Sequence, residues 1–328
     1  MFRRISRIAT PIGRRFGTVT DTATRAEPQC VDNLMQIGTR RIFDYEHDQY
    51  RELCRNFYKD KVAPFTDEWE AQGHVSREVW LQAGEAGMLG VTMPEEYGGM
   101  GLDALYAAVN WEEQMYAGTS GPGWSLHSEI CMPYLLHYGT EAQKMEYLPK
   151  MCSGEMISAI AMTEPGAGSD LQGVRTTAIK DAGGDYIING SKTFITNGGM
   201  ADLVIIVAKT DPSVSGAKGT SLFIVETNTP GFKKGNILKK MGMKAQDTAE
   251  LFFEDMRVPA SALLGQEGKG FAYLMQELPQ ERILIADQGI AAAEAVYEAT
   301  RTYVKERKAF GSTISNLQTV RHKLAETK

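Results

Sequence analysis

The chain has 328 residues, 43% hydrophobic and 23% charged, with 35 basic against 41 acidic side chains and a formal net charge of −6. This composition suits a globular protein of roughly two or three domains and excludes a chain that is largely disordered. No basic stripe interleaved with aromatics follows the basic N-terminus, which removes the electrostatic reason to bind nucleic acid, and no apolar run approaches the length of a membrane span.

The N-terminus carries Arg3, Arg4, Arg7, Arg14 and Arg15 among serines and threonines, with no acidic residue before Asp21. This predicts a mitochondrial transit peptide over residues 1–30, to be kept out of the core. Over 40–155 apolar residues recur at helical spacing, as in Tyr50, Leu53, Cys54 and Phe57, and again in Leu105, Ala108, Val109 and the 112–115 stretch. An N-terminal helical domain is expected there. Asp103 should cap one helix, and Thr140 with Gln143 should form a capping box on another.

Over 156–262 the pattern changes to short β-type runs at 156–162, 186–189, 203–208, 221–226 and 251–253. Gly183-Gly184-Asp185 and Asn197-Gly198-Gly199 supply turns, so a central antiparallel β domain is expected. Helical spacing returns after Gly265 and runs to Lys328 with a break near Gly311, giving a third, helical domain over 263–328. The chain ends within an amphipathic helix that lacks a glycine stop, which predicts an incomplete C-terminal bundle. The fold class is α+β.

Cys30, Cys54, Cys131 and Cys152 show no Cys-x-x-Cys spacing, and no two histidines stand four apart. Neither a disulfide framework nor a metal site is expected, and free thiols in a reducing compartment are.

Two features carry chemistry. In the run Ala161 to Gly173, Gly166 and Gly168 let the backbone approach a flat or anionic ligand, flanked by the hydroxyls of Thr163 and Ser169. A dinucleotide fingerprint needs a third glycine at position 171. Leu171 stands there, and β-type sequence follows instead of a helix, so the nicotinamide reading fails. The second feature is Glu281, which a helical reading places on one stripe with Ile285, Gly289, Ala292 and Val296, a face expected to be buried. A carboxylate there would be partly desolvated; the alternative is a first-turn glutamate after Pro279 that faces water.

The 161–173 run resembles the signature of the acyl-CoA dehydrogenase family, flavoenzymes that oxidise acyl-CoA thioesters to 2-enoyl forms. Three further stretches fit the resemblance: Lys192 to Asn197, Met241 to Glu254 continuing to Leu264-Gly265, and Arg307 to Gly311 followed by Gln318. The resemblance implies FAD, with Ile160, Ala161, Met162, Thr163, Glu164, Gly168 and Ser169 along the first run, Ser169 also touching substrate. It implies that Phe194 shields the flavin ring, beside Ile195, while Thr196 bonds its N5. Many members have Trp at the position of Phe194. It further implies that Arg307, Phe310 and Gln318 reach the FAD of a neighbouring subunit.

In the isovaleryl and long-chain branches the catalytic base sits in a Glu-Arg pair that matches Glu281-Arg282. The resemblance therefore implies that Glu281 removes the α proton and that Arg282, Tyr273, Pro279 and Gln280 line the substrate entrance. It also implies electron-transfer flavoprotein as acceptor, a homotetramer and the mitochondrial matrix. Gly121-Pro122-Gly123 either leaves room for a long acyl tail or is a simple loop, which explains the small residues equally well, and the Met241 to Glu254 stretch leans toward the long-chain branch. An isovaleryl-type enzyme is the rival within the fold. A non-catalytic member acting in assembly or interaction is the rival outside it, since family members hold the thioester carbonyl partly through a later loop.

Overall fold

The computed structural model describes residues 42–214 and 216–328; the expected transit peptide and Cys30 lie outside them. Residues 46–328 form one compact unit, which begins one residue into the first helix and carries the architecture that follows. Its helical start comprises α1 (Tyr45–Phe57), α2 (Thr66–Gln72), α3 (Arg77–Glu85), α4 (Ala104–Tyr116), the single turn α5 (Trp124–Leu126), α6 (Met132–Tyr138) and α7 (Glu141–Cys152). A π-helical turn over His127–Cys131 joins α5 to α6, so the backbone stays helical from Trp124 to Tyr138.

The local signals behave as read. Asp103 Oδ1 accepts from the Leu105 N–H at 2.9 Å, and Thr140 and Gln143 exchange both bonds of a capping box, at 3.2 and 2.9 Å. These contacts satisfy donors that a helix start otherwise leaves open. The apolar stripe expected on α4 is partly ionic. Glu112 and Glu113 are buried, and Arg51 of α1 reaches them at 2.8 and 3.1 Å, with Arg55 at 2.9 Å from Glu113. Pairing is what allows those charges to leave water.

The sheet contains β1 (Ser158–Ala161), β2 (Thr177–Lys180), β3 (Tyr186–Thr196), β4 (Leu203–Lys209), β5 (Thr220–Glu226), β6 (Phe232–Ile237), β7 (Thr248–Val258) and β8 (Leu263–Leu264). Their order is β6-β7-β3-β2-β4-β5-β8, with β1 beside β4. Most pairs are antiparallel; β1 runs parallel to β4, with Ser158 opposite Leu203, and β2 touches β4 in parallel at Thr177 and Lys209. Strand β3 extends seven residues beyond the 186–189 run, to Thr196, and it bulges between Lys192 and Ile195. Tyr186, Ile188, Val204, Ile206, Phe223, Leu251, Phe253 and Met256 form the heart of its core.

Helix α8 (Gly270–Glu306) runs 37 residues with Pro279 inside it, so Glu281 lies well beyond the first turn. A hairpin of β9 (Lys308–Ala309) and β10 (Ser312–Thr313) makes the break near Gly311, whose φ of +76° suits the turn. Helix α9 (Gln318–Thr327) follows. The stripe expected around Glu281 needs correction: Ile285 and Val296 are 60% and 66% exposed, and Gly289 is exposed too. The buried stripe is Leu274, Glu277, Glu281, Leu284 and Ala291, facing α4 and α6. Steps of three and four both keep a helical face, and the packing selects the set that continues through Leu284. Trp111 and Tyr116 of α4 pin that face by donating to Asp287 and Glu294. Among the described residues, no helix is long and apolar enough to cross a membrane.

Candidate active site

The first half of the site grows from the end of β1. Beyond Ala161 the chain folds into a tight bridge in which Glu164 and Ala167 exchange backbone bonds at 2.8 and 3.0 Å. The Glu164 side chain turns inward, accepting from the N–H groups of Arg175 at 2.6 Å and Thr176 at 3.0 Å, and from Lys192 Nζ at 2.8 Å. Lys192, on β3, also donates to the Met162 carbonyl at 3.0 Å, and the Thr193 N–H donates to the Thr163 carbonyl at 3.0 Å. The two runs that the sequence singles out are thus stitched together.

The buried pair sets its own electrostatics. Burial pulls the Lys192 ammonium down to about 8, with Glu164 opposing. Burial pushes Glu164 the other way, but the Lys192 charge and the bonds to Lys192, Thr176 and Arg175 outweigh it and hold the carboxyl below its usual range. With its oxygens so used, Glu164 braces the loop from beneath. Ile160, Ala161 and Ile195 are buried in the sheet, so they offer a cofactor backbone only.

Above this brace the surface is open. A Cβ added at Gly166 or Gly168 would meet nothing within 4 Å, and Ser169 is exposed. Phe194 has φ of +59°, an uncommon conformation for an aromatic residue, and its ring is 67% exposed while Lys192 and Ile195 on either side are buried. The β3 bulge is what turns the ring outward. Strained backbone at an exposed aromatic beside two half-buried hydroxyls, Thr163 and Thr196, fits a flat ring that stacks on one face and hydrogen-bonds along its edge.

Asn197 closes the turn after β3, with φ of +61°, and its Nδ2 donates to the carbonyls of Gly123 and Ser158 at 3.1 and 3.2 Å. This gives Gly121-Pro122-Gly123 a role other than making room. A Cβ on Gly123 would lie 2.0 Å from Asn197 Oδ1, and one on Gly121 would lie 2.9 Å from Val75 Cγ1 and 3.0 Å from Ala245 Cβ. The small residues let the helical segment close onto the sheet.

The second half lies between α6 and α8. Glu281 is 9% exposed, and its Oε1 accepts a hydrogen bond from the Tyr134 hydroxyl at 2.8 Å. Burial pushes its carboxyl above the ordinary range; Tyr134 opposes this, Glu277 adds to it and Arg282 opposes it. One turn earlier Glu277 accepts from Tyr138 at 2.7 Å and interacts with His137 Nδ1 at 2.9 Å. Tyr138 stacks on Tyr273 with ring centroids 4.0 Å apart, and Tyr273 Oη accepts from the Gln266 N–H at 3.1 Å. Gln280 is half-buried, while Pro279 and Arg282 are exposed beside Glu281. Arg307, Phe310 and Gln318 sit apart from both halves in the chain, exposed just before, within and after the terminal hairpin.

The chain thus offers a braced loop beside an outward aromatic ring and, between α6 and α8, a buried helix-borne carboxylate. Models of the acyl-CoA dehydrogenase N-terminal, middle and C-terminal domains match residues 44–155, 159–256 and 268–328 in turn. The chain belongs to the acyl-CoA dehydrogenase family. It is 59% identical over 305 residues to the mitochondrial long-chain specific acyl-CoA dehydrogenase of Rattus norvegicus, covering 93% of this chain and 71% of that protein. The fold superposes on an acyl-CoA dehydrogenase from Geobacillus kaustophilus with a TM-score of 0.85 and 49% identity, covering 88% of this chain and 76% of that one. A glutaryl-CoA dehydrogenase from Mycobacterium smegmatis in complex with FADH2 matches with a TM-score of 0.81 and 32% identity, covering 88% and 72%. Members of the acyl-CoA dehydrogenase family are flavoproteins.

Tyr134 and Lys192 are the residues that sequence reasoning missed in these roles. Lys192 was visible only as the start of the second run. Tyr134 gave no signal, since a tyrosine on an apolar helical face reads as core.

Proposed function

We propose that the protein is a long-chain acyl-CoA dehydrogenase of fatty acid β-oxidation, converting acyl-CoA to trans-2-enoyl-CoA with FAD. The observation that carries this reading is the Glu281 carboxyl, buried, raised above its usual range and seated against α6. An α proton beside a thioester is weakly acidic, so the base must combine ionisation near neutral pH with a proton affinity above that of a surface glutamate. FAD, when bound, takes the β hydrogen as hydride.

Met162, Thr163, Ser169, Phe194 and Thr196 would hold the flavin ring, with Phe194 as the stacking face. Ser169, Tyr273, Pro279, Gln280 and Arg282 would meet the CoA ester. Arg307 has the planar fork suited to a pyrophosphate, and with Phe310 and Gln318 it would serve the FAD of a neighbouring subunit in a homotetramer. Electron-transfer flavoprotein is the proposed acceptor. The rat relative is mitochondrial, and the matrix is the compartment proposed for this chain.

The test is an anaerobic titration of the purified flavoprotein with acyl-CoA, followed by bleaching of the flavin absorbance. Bleaching should be stoichiometric in the wild type and slower by about 10²–10⁴ in Glu281→Gln. A Gln variant that bleaches at the wild-type rate removes Glu281 from the role. A panel from short branched to long acyl-CoA separates the long-chain reading from an isovaleryl one. Purified protein without a flavin spectrum would favour a non-catalytic member.

A further inference from the structure

Helices α6 and α8 meet through two tyrosine–glutamate rungs one helical turn apart. Tyr134 and Tyr138 stand four residues apart on α6, and Glu277 and Glu281 four apart on α8, so each pair shares a face. The Tyr138–Glu277 rung lies at the edge, where the half-exposed His137 side chain joins it. The Tyr134–Glu281 rung is interior: Tyr134 is 0% exposed, and its hydroxyl lies 2.8 Å from Glu281 Oε1.

We infer that Tyr134 is the positioning residue of the base, its hydroxyl holding Glu281 in the ionised form. The inference rests on the reading of Glu281 as the base. The groups that face Glu281 are Tyr134 on α6, Cys131 in the π-helical turn, and Glu277 and Arg282 on α8 itself. Burial and Glu277 both favour the neutral acid, and Cys131, its thiol pushed up to about 12 by burial, brings no charge near neutral pH. Arg282 favours the anion but is exposed, so water screens it. The Tyr134 hydroxyl is the one neutral, buried donor on the carboxylate among these groups, and hydrogen bonding to a charged acceptor favours the charged form.

The experiment uses holoenzyme and two readouts. The infrared band of protonated Glu281, assigned by its loss in Glu281→Gln, is titrated with pH; the acid limb of the bleaching rate is measured in parallel. Tyr134→Phe keeps the ring in its slot and removes the donor. Both midpoints should rise by about one to two pH units, with the high-pH plateau rate kept within a few-fold. 3-Fluorotyrosine in place of Tyr134, a more acidic phenol in the same space, should move both midpoints down, and it keeps the test decisive where the Phe variant folds poorly. An unmoved Glu281 midpoint in these variants, or a loss of rate equal at every pH, overturns the inference. A Glu281→Gln enzyme that bleaches normally overturns the base reading alone, because the infrared midpoint still reports what Tyr134 does to the carboxyl.

Discussion

Replacing Lys192 with Met removes the cation beneath the 161–173 loop while keeping a flexible side chain of similar length. Its Nζ lies 2.8 Å from Glu164 and 3.0 Å from the Met162 carbonyl, and the two side chains are 0% and 6% exposed. Breaking a buried pair by deleting one partner costs about 3–5 kcal/mol, since the remaining charge is left uncompensated. Here the backbone N–H groups of Arg175 and Thr176 still serve Glu164, and burial lets it relieve the strain by taking up a proton. The lower end, about 3 kcal/mol at neutral pH, is therefore expected. The sign with pH follows from the depressed Glu164 carboxyl: its contribution is present above the unfolded-state value and disappears as pH falls through the folded one. The gap between wild type and Lys192→Met should accordingly narrow in acid. Urea unfolding across pH measures this, and equilibrium dialysis should show FAD affinity at least about tenfold weaker, equivalent to about 1.4 kcal/mol. The double variant with Glu164→Gln should recover part of the loss, because it removes the orphaned charge. A stability change under about 1 kcal/mol with FAD affinity intact would show that the brace does not hold the loop.

Three other outcomes are expected. Gly123→Ala should destabilise by about 1–3 kcal/mol in the same urea assay, since its Cβ would press on Asn197 Oδ1; an unchanged midpoint would mean that the turn yields freely. Thr140→Ala, which removes the α7 capping box, should cost about 1 kcal/mol by thermal or urea unfolding, and a neutral result would show that Gln143 alone suffices. The His137–Glu277 contact should contribute a few tenths of a kcal/mol, discounted because His137 is half exposed. His137 is raised by its bond to Glu277, so its part is full below the unfolded histidine value and lost as pH rises through the folded one. Glu277 is raised by burial but lowered overall, chiefly by His137, so its part needs pH above the unfolded glutamate value. His137→Gln should consequently reduce stability most between about pH 4.5 and 6.5, and a pH-independent difference would contradict the pairing.

What could be read without coordinates was local or repeated. Asp103, Thr140 and Gln143 announce helix starts because capping involves residues within a few positions. Strands β4 and β5 announce themselves by continuous apolar runs, being buried on both faces. Strands β2 and β6 do not, since β2 buries Ala178 alone and β6, at the sheet edge, none of its residues. The burial of Glu281 was legible from a helical stripe, but its neighbours on that stripe were not: steps of three and four differ little in sequence, and only α4 and α6 decide between Ile285 and Leu284. Tyr134 lies 147 residues from Glu281, beyond the reach of any local pattern.

Seating Glu281 on a long helix also constrains how the protein can change. Each residue along an α-helix turns the next by about 100° and advances it about 1.5 Å. One residue inserted or deleted between Tyr273 and Glu281 would swing the carboxylate away from Tyr134, or else displace everything packed along α8 beyond it. A loop absorbs length changes of that kind, whereas this segment admits substitutions only. Evolution, or an engineer, can retune Glu281 by exchanging the side chains around it, but its place is tied to a fixed count of residues.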